Sequence, residues 1–180
     1  MFYMFFANGF EEVEAIATLD VVRRAGIDIQ SVGIGSDRIT GSHGITVICD
    51  KNESEISVND NITGVILPGG MPGTTNLLES KTVNDFIDYC AENKLLICAI
   101  CAAPMILGKK GLLNGIEAIC FPGFEEELIG AKISDKFVCR DKNIITSKGM
   151  GSAVNFGLEI VSAVKDKNTA DKLKATLQCS

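Results

Sequence analysis

The feature that most constrains the fold of this 180-residue chain is an apolar run that ends at a cysteine. Residues 95–100 are apolar throughout, as expected of a parallel strand that helices cover on both faces. Cys101 follows at once, with the small residues Ala99 and Ala103 two positions away on either side. This spacing is typical of a nucleophile elbow, in which small neighbours allow a tight turn to expose one reactive side chain. The run therefore predicts a strand, a turn at Cys101 and a helix over 102–113.

The predicted turn leaves two interpretations of Cys101 open. At the N-terminus of a helix, backbone N–H groups and the positive end of the helix dipole favour a thiolate. Alternatively, Cys101 is a packed and unreactive residue of the core, as many buried cysteines are.

Composition and charge narrow the class of protein. The net charge is −6 and the pI is about 4.8, and the basic residues are scattered. We therefore expect no nucleic-acid partner. The apolar start, residues 1–7, is far too short to span a bilayer and has no basic segment before it. We expect no membrane partner and interpret these residues as the first core strand.

Cysteine usage indicates the compartment and argues against a metal. Seven cysteines, an odd number, suggest free thiols in a reducing cytoplasm rather than a disulfide framework. Cys98 and Cys101 form a C-x-x-C, but residues three apart on a strand lie about 10 Å apart on opposite faces. His43 is the one histidine in the sequence, so we expect no metal site.

Strand and helix patterns alternate along the chain. The predicted strands are 2–7, 27–35, 64–67, 95–100 and 116–121, with hairpins over 38–49 and over 137–147, the latter folded over residues 141–143. The predicted helices are 11–25, 82–93, 102–113 and 152–164, the last capped by Ser152. This order predicts one α/β domain over 1–180, with a mostly parallel central sheet and helices on both faces. Ligands bind beyond the carboxyl ends of such strands, which makes loops 8–12, 69–75 and 101–103 the candidate site.

Glu14 is the second unusual residue. On a helical wheel it lies among the apolar residues of the first helix, opposite the charged side. It either reaches water at the start of the helix, or is buried beside Cys101 with a raised pKa. In the buried case, a protonated carboxyl would donate a hydrogen bond to the thiolate and also act as an acid and base.

The pair Gly69-Gly70 is the third element of the candidate site. Such a pair after a strand often forms only a tight turn. It also allows the Gly70 N–H to point into the site beside the N–H of Ala102, and two such donors would hold an oxyanion or an oxidised sulfur.

Five segments in order resemble one known family. They are 9–14 (GFEEVE), 22–26 (VRRAG), 65–70 (VILPGG), 99–104 (AICAAP) and 145–149 (ITSKG). Together they resemble the ThiJ/PfpI superfamily, and within it the branch of the parkinsonism-associated deglycase. The resemblance covers nearly the whole chain and implies a flavodoxin-like three-layer sandwich.

The resemblance also implies roles for single residues. Cys101 matches the oxidation-sensitive nucleophile, Glu14 the carboxyl that hydrogen-bonds it, and Gly70 and Ala102 the backbone donors. The branch is typically a homodimer with the first helix at the interface. An arginine of one subunit approaches the partner's site, and His43 occupies its position here. The implied activities need no cofactor: conversion of methylglyoxal to lactate, repair of glycated groups, and sensing of oxidants.

Two departures from the family pattern shape the functional hypotheses. Phe121-Pro122 stands where the branch often has histidine-proline, and Ala102 stands where proteolytic relatives have histidine. A cysteine–histidine protease is therefore disfavoured. The first remaining hypothesis is a glyoxalase or deglycase that acts on small carbonyls through Cys101 and Glu14. The second is a redox sensor or chaperone in which peroxide oxidises Cys101 to a sulfinate.

Overall fold

The computed structural model describes residues 1–58 and 61–179 of the chain. The strands are β1 (Phe2–Phe6), β2 (Ile29–Gly33), β3 (Arg38–Thr40), β4 (Thr46–Ile48), β5 (Lys51–Asn52), β6 (Gly64–Leu67), β7 (Leu96–Ile100), β8 (Glu117–Ala118), β9 (Lys132–Ile133), β10 (Val138–Asp141) and β11 (Ile144–Ser147). The helices are α1 (Glu12–Arg24), α2 (Gly73–Glu79), α3 (Lys81–Glu92), α4 (Pro104–Lys109), α5 (Ala153–Val164) and α6 (Lys167–Thr176). Within the described ranges, no helix is both long and apolar enough to cross a membrane.

Seven strands form the central sheet in the order β10-β11-β7-β6-β1-β2-β5. Every neighbouring pair is parallel except β10 and β11, which form an antiparallel hairpin at one edge. The carboxyl ends of β1, β6 and β7 therefore meet at one edge, where the sequence places the candidate site.

Two apolar clusters, one on each face of the sheet, explain why the central strands are apolar throughout. In β1, Tyr3 and Phe5 belong to one cluster, and Phe2, Met4 and Phe6 to the other. Side chains alternate between the faces of a strand, so both faces of β1 are buried. One cluster includes residues of α3 and α4, and the other includes residues of α1 and α5. The predicted three-layer α/β fold is confirmed.

Several predicted elements differ from the observed ones. The helix predicted over 102–113 is the six-residue α4, because Gly111, at φ +72°, adopts the left-handed conformation just beyond its end. The strand predicted over 116–121 is only β8, which pairs with β9 outside the central sheet. It does not join the sheet at β11, since β7 and β10 occupy both edges of that strand.

The sequence reasoning also missed two helices, and its prediction that Ser152 caps the helix over 152–164 is wrong. Both missed helices lack a strong apolar pattern: α2 starts with Gly-Thr-Thr, and α6 buries only Ala170. Ser152 makes no side-chain cap for α5. Its Oγ instead donates to the carbonyl of Gly149 at 2.7 Å and bonds the hydroxyl of Ser147 at 2.7 Å.

Candidate active site

Cys101 lies one residue beyond β7, in a turn rather than in a helix. Its φ is +65°, a left-handed conformation that non-glycine residues rarely adopt. Hydrogen bonds hold its backbone from both sides. Its N–H donates to the carbonyl of Ser147 at 2.8 Å, and its carbonyl accepts from the N–H of Phe121 at 2.8 Å. Such strain persists where surrounding structure enforces it, which is common at functional sites.

Glu14 lies near the start of α1 with its side chain turned into the protein. The residue is only 1% exposed, so the interpretation in which it reaches water is wrong and the buried interpretation holds. Its carboxyl oxygen Oε2 accepts from the N–H of Gly69 at 3.0 Å. The N–H of Met150 also donates to this carboxyl, and the Cys101 thiol shares a hydrogen bond with it. The carboxylate of Glu11 caps the helix by accepting from the N–H of Glu14 at 2.7 Å.

Two glycines permit the close contact between Glu14 and Cys101. A Cβ atom at Gly69 would lie 2.5 Å from Cβ of Cys101 and 2.6 Å from Oε2 of Glu14. Gly70 has a φ of +90°, and its Cβ would lie 2.3 Å from the backbone nitrogen of Glu11. Any side chain at either position would therefore separate β6 from α1 or from the elbow.

The backbone N–H groups of Gly70 and Ala102 both donate hydrogen bonds to the sulfur of Cys101. Together with the carboxyl of Glu14, they surround the thiol with three polar contacts. Of the five residues that the sequence singled out, the structure brings together Cys101, Glu14, Gly70 and Ala102. Their catalytic roles stay a prediction.

The protonation state of Cys101 differs from the thiolate that the sequence predicts. Burial, together with the negative charge of Glu14 and its hydrogen bond, raises the pKa of Cys101 to about 12. The Gly70 and Ala102 amides act in the opposite direction but do not outweigh burial. Burial also raises the pKa of Glu14 to about 7, despite the stabilising hydrogen bond from Cys101. Because α4 is short and starts at Pro104, the helix dipole that suggested a thiolate is weak.

The two groups titrate as a pair. Both are protonated below about pH 7, and above it one proton is shared, residing on sulfur at rest. The resting site is thus a thiol hydrogen-bonded to a carboxylate, which can take the proton when the sulfur attacks.

His43 does not join this site within the same chain. It lies in the β3–β4 hairpin with a side chain that is 73% exposed. Its Nδ1 lies 3.0 Å from Oε2 of Glu12, and its backbone N–H donates to Oε1 of Glu12 at 2.7 Å. The predicted contact with a partner subunit stays a prediction.

Glu12 is a residue that the sequence reasoning missed. It is 3% exposed, although acidic residues in the first turn of a helix are usually solvated. Burial acts to raise the pKa of Glu12, but hydrogen bonds from the side chain and backbone of His43 and from Ile45 hold that pKa below its usual value. A buried, ionised Glu12 thus fastens the hairpin to α1. Glu11 and Glu12 are adjacent acids at the start of α1, and nothing in the local sequence indicates that Glu12 contacts the hairpin.

Within the described ranges of the chain, one cluster of potential metal ligands lies between the start of α1 and the β3–β4 hairpin. Oxygen and nitrogen atoms of Glu11, Glu12 and His43 lie within 4.8 Å of one another. Glu12 already accepts hydrogen bonds from the hairpin, and Glu11 caps α1. These bonds account for the cluster as a structural network.

A mostly parallel sheet, with a cysteine in a strained turn after a central strand and hydrogen-bonded to a buried glutamate, defines a class of α/β proteins. Residues 2–163 match the model of the DJ-1/PfpI family. The chain is 34% identical over 170 residues to Protein dj-1beta of Drosophila melanogaster, covering 93% of this chain and 90% of that protein. The chain therefore belongs to the DJ-1/PfpI family.

Other relatives agree with this assignment. The Parkinson disease protein 7 homolog of Danio rerio is 33% identical over 95% of this chain and 93% of its own length. A Caenorhabditis elegans relative named glutathione-independent glyoxalase DJR-1.2 is 30% identical over 91% of this chain and 87% of its own. The solved structure of oxidized Toxoplasma gondii DJ-1 superposes with a TM-score of 0.95 at 30% identity, covering 99% of this chain and 98% of that one.

Proposed function

We propose that this protein defends the cell against reactive carbonyls by converting 2-oxoaldehydes such as methylglyoxal to 2-hydroxy acids, a glyoxalase reaction, through Cys101 and Glu14. The observation that carries the proposal is the buried carboxyl of Glu14 hydrogen-bonded to a thiol that two backbone amides also contact. A relative named as a glyoxalase supports it. A deglycase would use the same first step, addition of sulfur to a carbonyl carbon.

The reaction uses groups that the site holds. Sulfur of Cys101 adds to the aldehyde carbon while its proton passes to the carboxylate of Glu14. The amides of Gly70 and Ala102, which contact the sulfur, would donate to the new oxyanion. Glu14 then returns its proton to this oxygen, which gives the hydroxyl of a hemithioacetal and restores the carboxylate.

The carboxylate of Glu14 then takes the proton from the former aldehyde carbon and delivers it to the neighbouring carbon, while the hydroxyl proton passes to the ketone oxygen through an enediol. The first carbon is thereby oxidised to a thioester and the second is reduced to an alcohol. Water releases the 2-hydroxy acid and restores the thiol. The electrons stay within the substrate, and the sum is methylglyoxal plus water giving lactate.

The direct test is the formation of lactate by the purified native protein without added glutathione. We expect lactate to accumulate in proportion to protein concentration. We also expect kcat/KM to rise about tenfold per pH unit up to about pH 7 and then level, since the base is the ionised form of Glu14. Lactate no faster than in the protein-free control would overturn the proposal.

A second candidate function, that of a redox sensor, is supported by the exposure of the thiols. All seven cysteines are free; Cys101 and Cys179 are partly exposed, and the other five are buried. Peroxide would oxidise the Cys101 sulfur in two steps to a sulfinate, reducing two peroxide molecules to water. Glu14 in its protonated form and the amide of Gly70 would then hold the oxygens.

Intact-mass and peptide spectra after two equivalents of peroxide test this sensor role. We expect a gain of two oxygens concentrated at Cys101. Two results would contradict the sensor role. One is oxidation spread equally between Cys101 and the similarly exposed Cys179, and the other is an unchanged rate of Cys101 oxidation in a Glu14→Ala variant.

We further propose a homodimer formed through α1 and the β3–β4 hairpin. Four large apolar side chains are exposed on these elements: Val13, Ile16, Ile45 and Ile48. A cluster of this kind marks an association surface. In a dimer, His43 would approach the partner's Cys101, and its imidazole would stand near the reacting carbonyl.

Light scattering of an Ile48→Lys variant tests the dimer. Ile48 is 72% exposed, so the lysine should not disturb the protomer. We expect the native protein at twice the mass of one chain and the variant shifted to the monomer. Lysine at Ile129, which is 58% exposed on another segment, is the matched control. An Ile48→Lys protein that stays dimeric contradicts this surface.

Seven free thiols also fit a reducing compartment, and we place the protein in the cytoplasm.

A further inference from the structure

Three residues with half-exposed apolar side chains lie in the loops that build the Cys101–Glu14 pair. They are Phe121, 48% exposed, Met71, 47% exposed, and Met150, 54% exposed. A large apolar residue left in water at a surface is ordinary when it stands alone. Here three of them come from three separate loops that converge on one thiol.

Each of the three is tied to the pair through the backbone. The N–H of Phe121 donates to the carbonyl of Cys101 at 2.8 Å. The N–H of Met150 donates to the carboxyl of Glu14. Met71 directly follows Gly70, whose N–H donates to the sulfur of Cys101. The same hydrogen bonds that build the site therefore also hold the backbone at or next to these three residues.

Gly149 leaves the space between the Phe121 ring and Glu14 open. A Cβ atom at Gly149 would lie 3.2 Å from Cδ2 of Phe121 and 3.8 Å from Oε1 of Glu14. The Phe121 ring and the Glu14 carboxyl therefore both lie within 4 Å of the position that this methyl group would occupy. A substituent on the substrate carbon that Glu14 reprotonates would meet this ring.

The charges around the pair disfavour an anionic substituent. The carboxyl of Glu14 interacts with the negative charge of Glu11. The ammonium of Lys148, adjacent to Gly149, lies over the ring of Phe137, 5.5 Å from its centroid. An uncharged, apolar group fits this electrostatic setting better than a carboxylate.

We propose that Phe121, with Met71 and Met150, forms an apolar rim that binds the substituent of the 2-oxoaldehyde, so that the preferred substrates are aryl and larger alkyl 2-oxoaldehydes. This inference rests on the proposed glyoxalase function and names its substrate class. Phe121 is the specificity-determining residue. Each additional buried methylene strengthens binding by a few-fold, so a phenyl group gains roughly tenfold or more over a methyl group at a half-open rim.

The test compares kcat/KM for phenylglyoxal and methylglyoxal, measured as mandelate and lactate formation. We expect the ratio of the two to fall roughly tenfold in Phe121→Ala relative to the native protein. Dividing one protein's ratio by the other's removes the intrinsic difference in reactivity between the aldehydes. Ile133→Ala is the matched control, because Ile133 is also 48% exposed and lies on β9. It should keep the native ratio.

A second measurement does not depend on turnover. Each aldehyde protects Cys101 from alkylation by iodoacetamide, and the half-protective concentration reports binding. We expect phenylglyoxal to protect at roughly tenfold lower concentration than methylglyoxal in the native protein. This advantage should disappear in Phe121→Ala and shrink in Gly149→Ala, where the new methyl group fills the gap.

The outcomes separate the two proposals. Turnover of both aldehydes with an unchanged ratio in Phe121→Ala overturns the rim and leaves the glyoxalase function standing. Absence of turnover in the native protein overturns the glyoxalase function, while the protection assay still shows whether the rim prefers the aryl group.

Discussion

Replacement of Cys101 by alanine should abolish lactate formation from methylglyoxal, with a loss of roughly 10³-fold or more, as for removal of other enzymatic nucleophiles. The hemithioacetal cannot form without the sulfur, and neither Glu14 nor the two amides can substitute for that bond. The loss should appear in kcat and in kcat/KM alike. The measurement is steady-state lactate production at pH 8, where Glu14 is ionised.

Two further variants make the Cys101 result interpretable. Cys179→Ala removes the other partly exposed thiol and should keep native activity. Cys101→Ser keeps a hydrogen-bonding group at the elbow and should fold like the native protein while remaining inactive. If Cys101→Ala produces lactate at the native rate, covalent catalysis through this residue is wrong.

Glu14→Gln should reduce kcat/KM by roughly 10² to 10⁴-fold. Glutamine has nearly the same shape, and its carbonyl oxygen can still accept from the N–H of Gly69, but it cannot accept the thiol proton. The pH profile should change as well. The native rate levels above about pH 7, whereas the residual rate of the variant should keep rising as the thiol itself ionises.

The same substitution should change how stability depends on pH. Burial raises the pKa of Glu14 from 4.5 to about 7 in the folded protein, so folding favours its protonated form. The stabilisation is therefore complete below about pH 4.5 and is lost as pH rises through 7. Linkage gives a fall of about 3 kcal/mol in the free energy of unfolding over this interval.

Urea unfolding at pH 5 and pH 8 measures this fall. Glu14→Gln should lack the component that Glu14 contributes, while Glu92→Gln, at an exposed carboxyl at the end of α3, should retain it. Equal pH dependence in the native protein and in Glu14→Gln would mean that Glu14 is solvated in solution.

The sequence determined the main elements of the site because each leaves a local mark. The apolar run that ends at Cys101 is long enough to specify a buried strand, and small residues around the cysteine specify a tight turn. Glu14 stood out because a carboxyl on the apolar stripe of a helix has a high desolvation cost. The glycine pair after β6 indicated a close backbone approach, and the structure shows it at Gly69 and Gly70.

Tertiary structure decided what local patterns do not encode. Glu12 is buried because the β3–β4 hairpin folds over α1, and contacts between segments some thirty residues apart leave no mark in either segment. The separate β8 depends on which sheet edges are free. The protonation of Cys101 likewise depends on burial and on the charge of Glu14, since the sum of desolvation and charge is a property of the folded environment.

The sequence alone thus identified the fold, the thiol, its carboxyl partner and the two amides that contact it. Only the folded chain showed that the proton rests on sulfur, that His43 points away from its own site, and that Phe121 borders the carboxyl across the open space at Gly149. The physical reason is the separation along the chain over which each effect acts. Strand and turn preferences act between near neighbours in the sequence, whereas pKa values and substrate space arise from groups that folding brings together from distant segments.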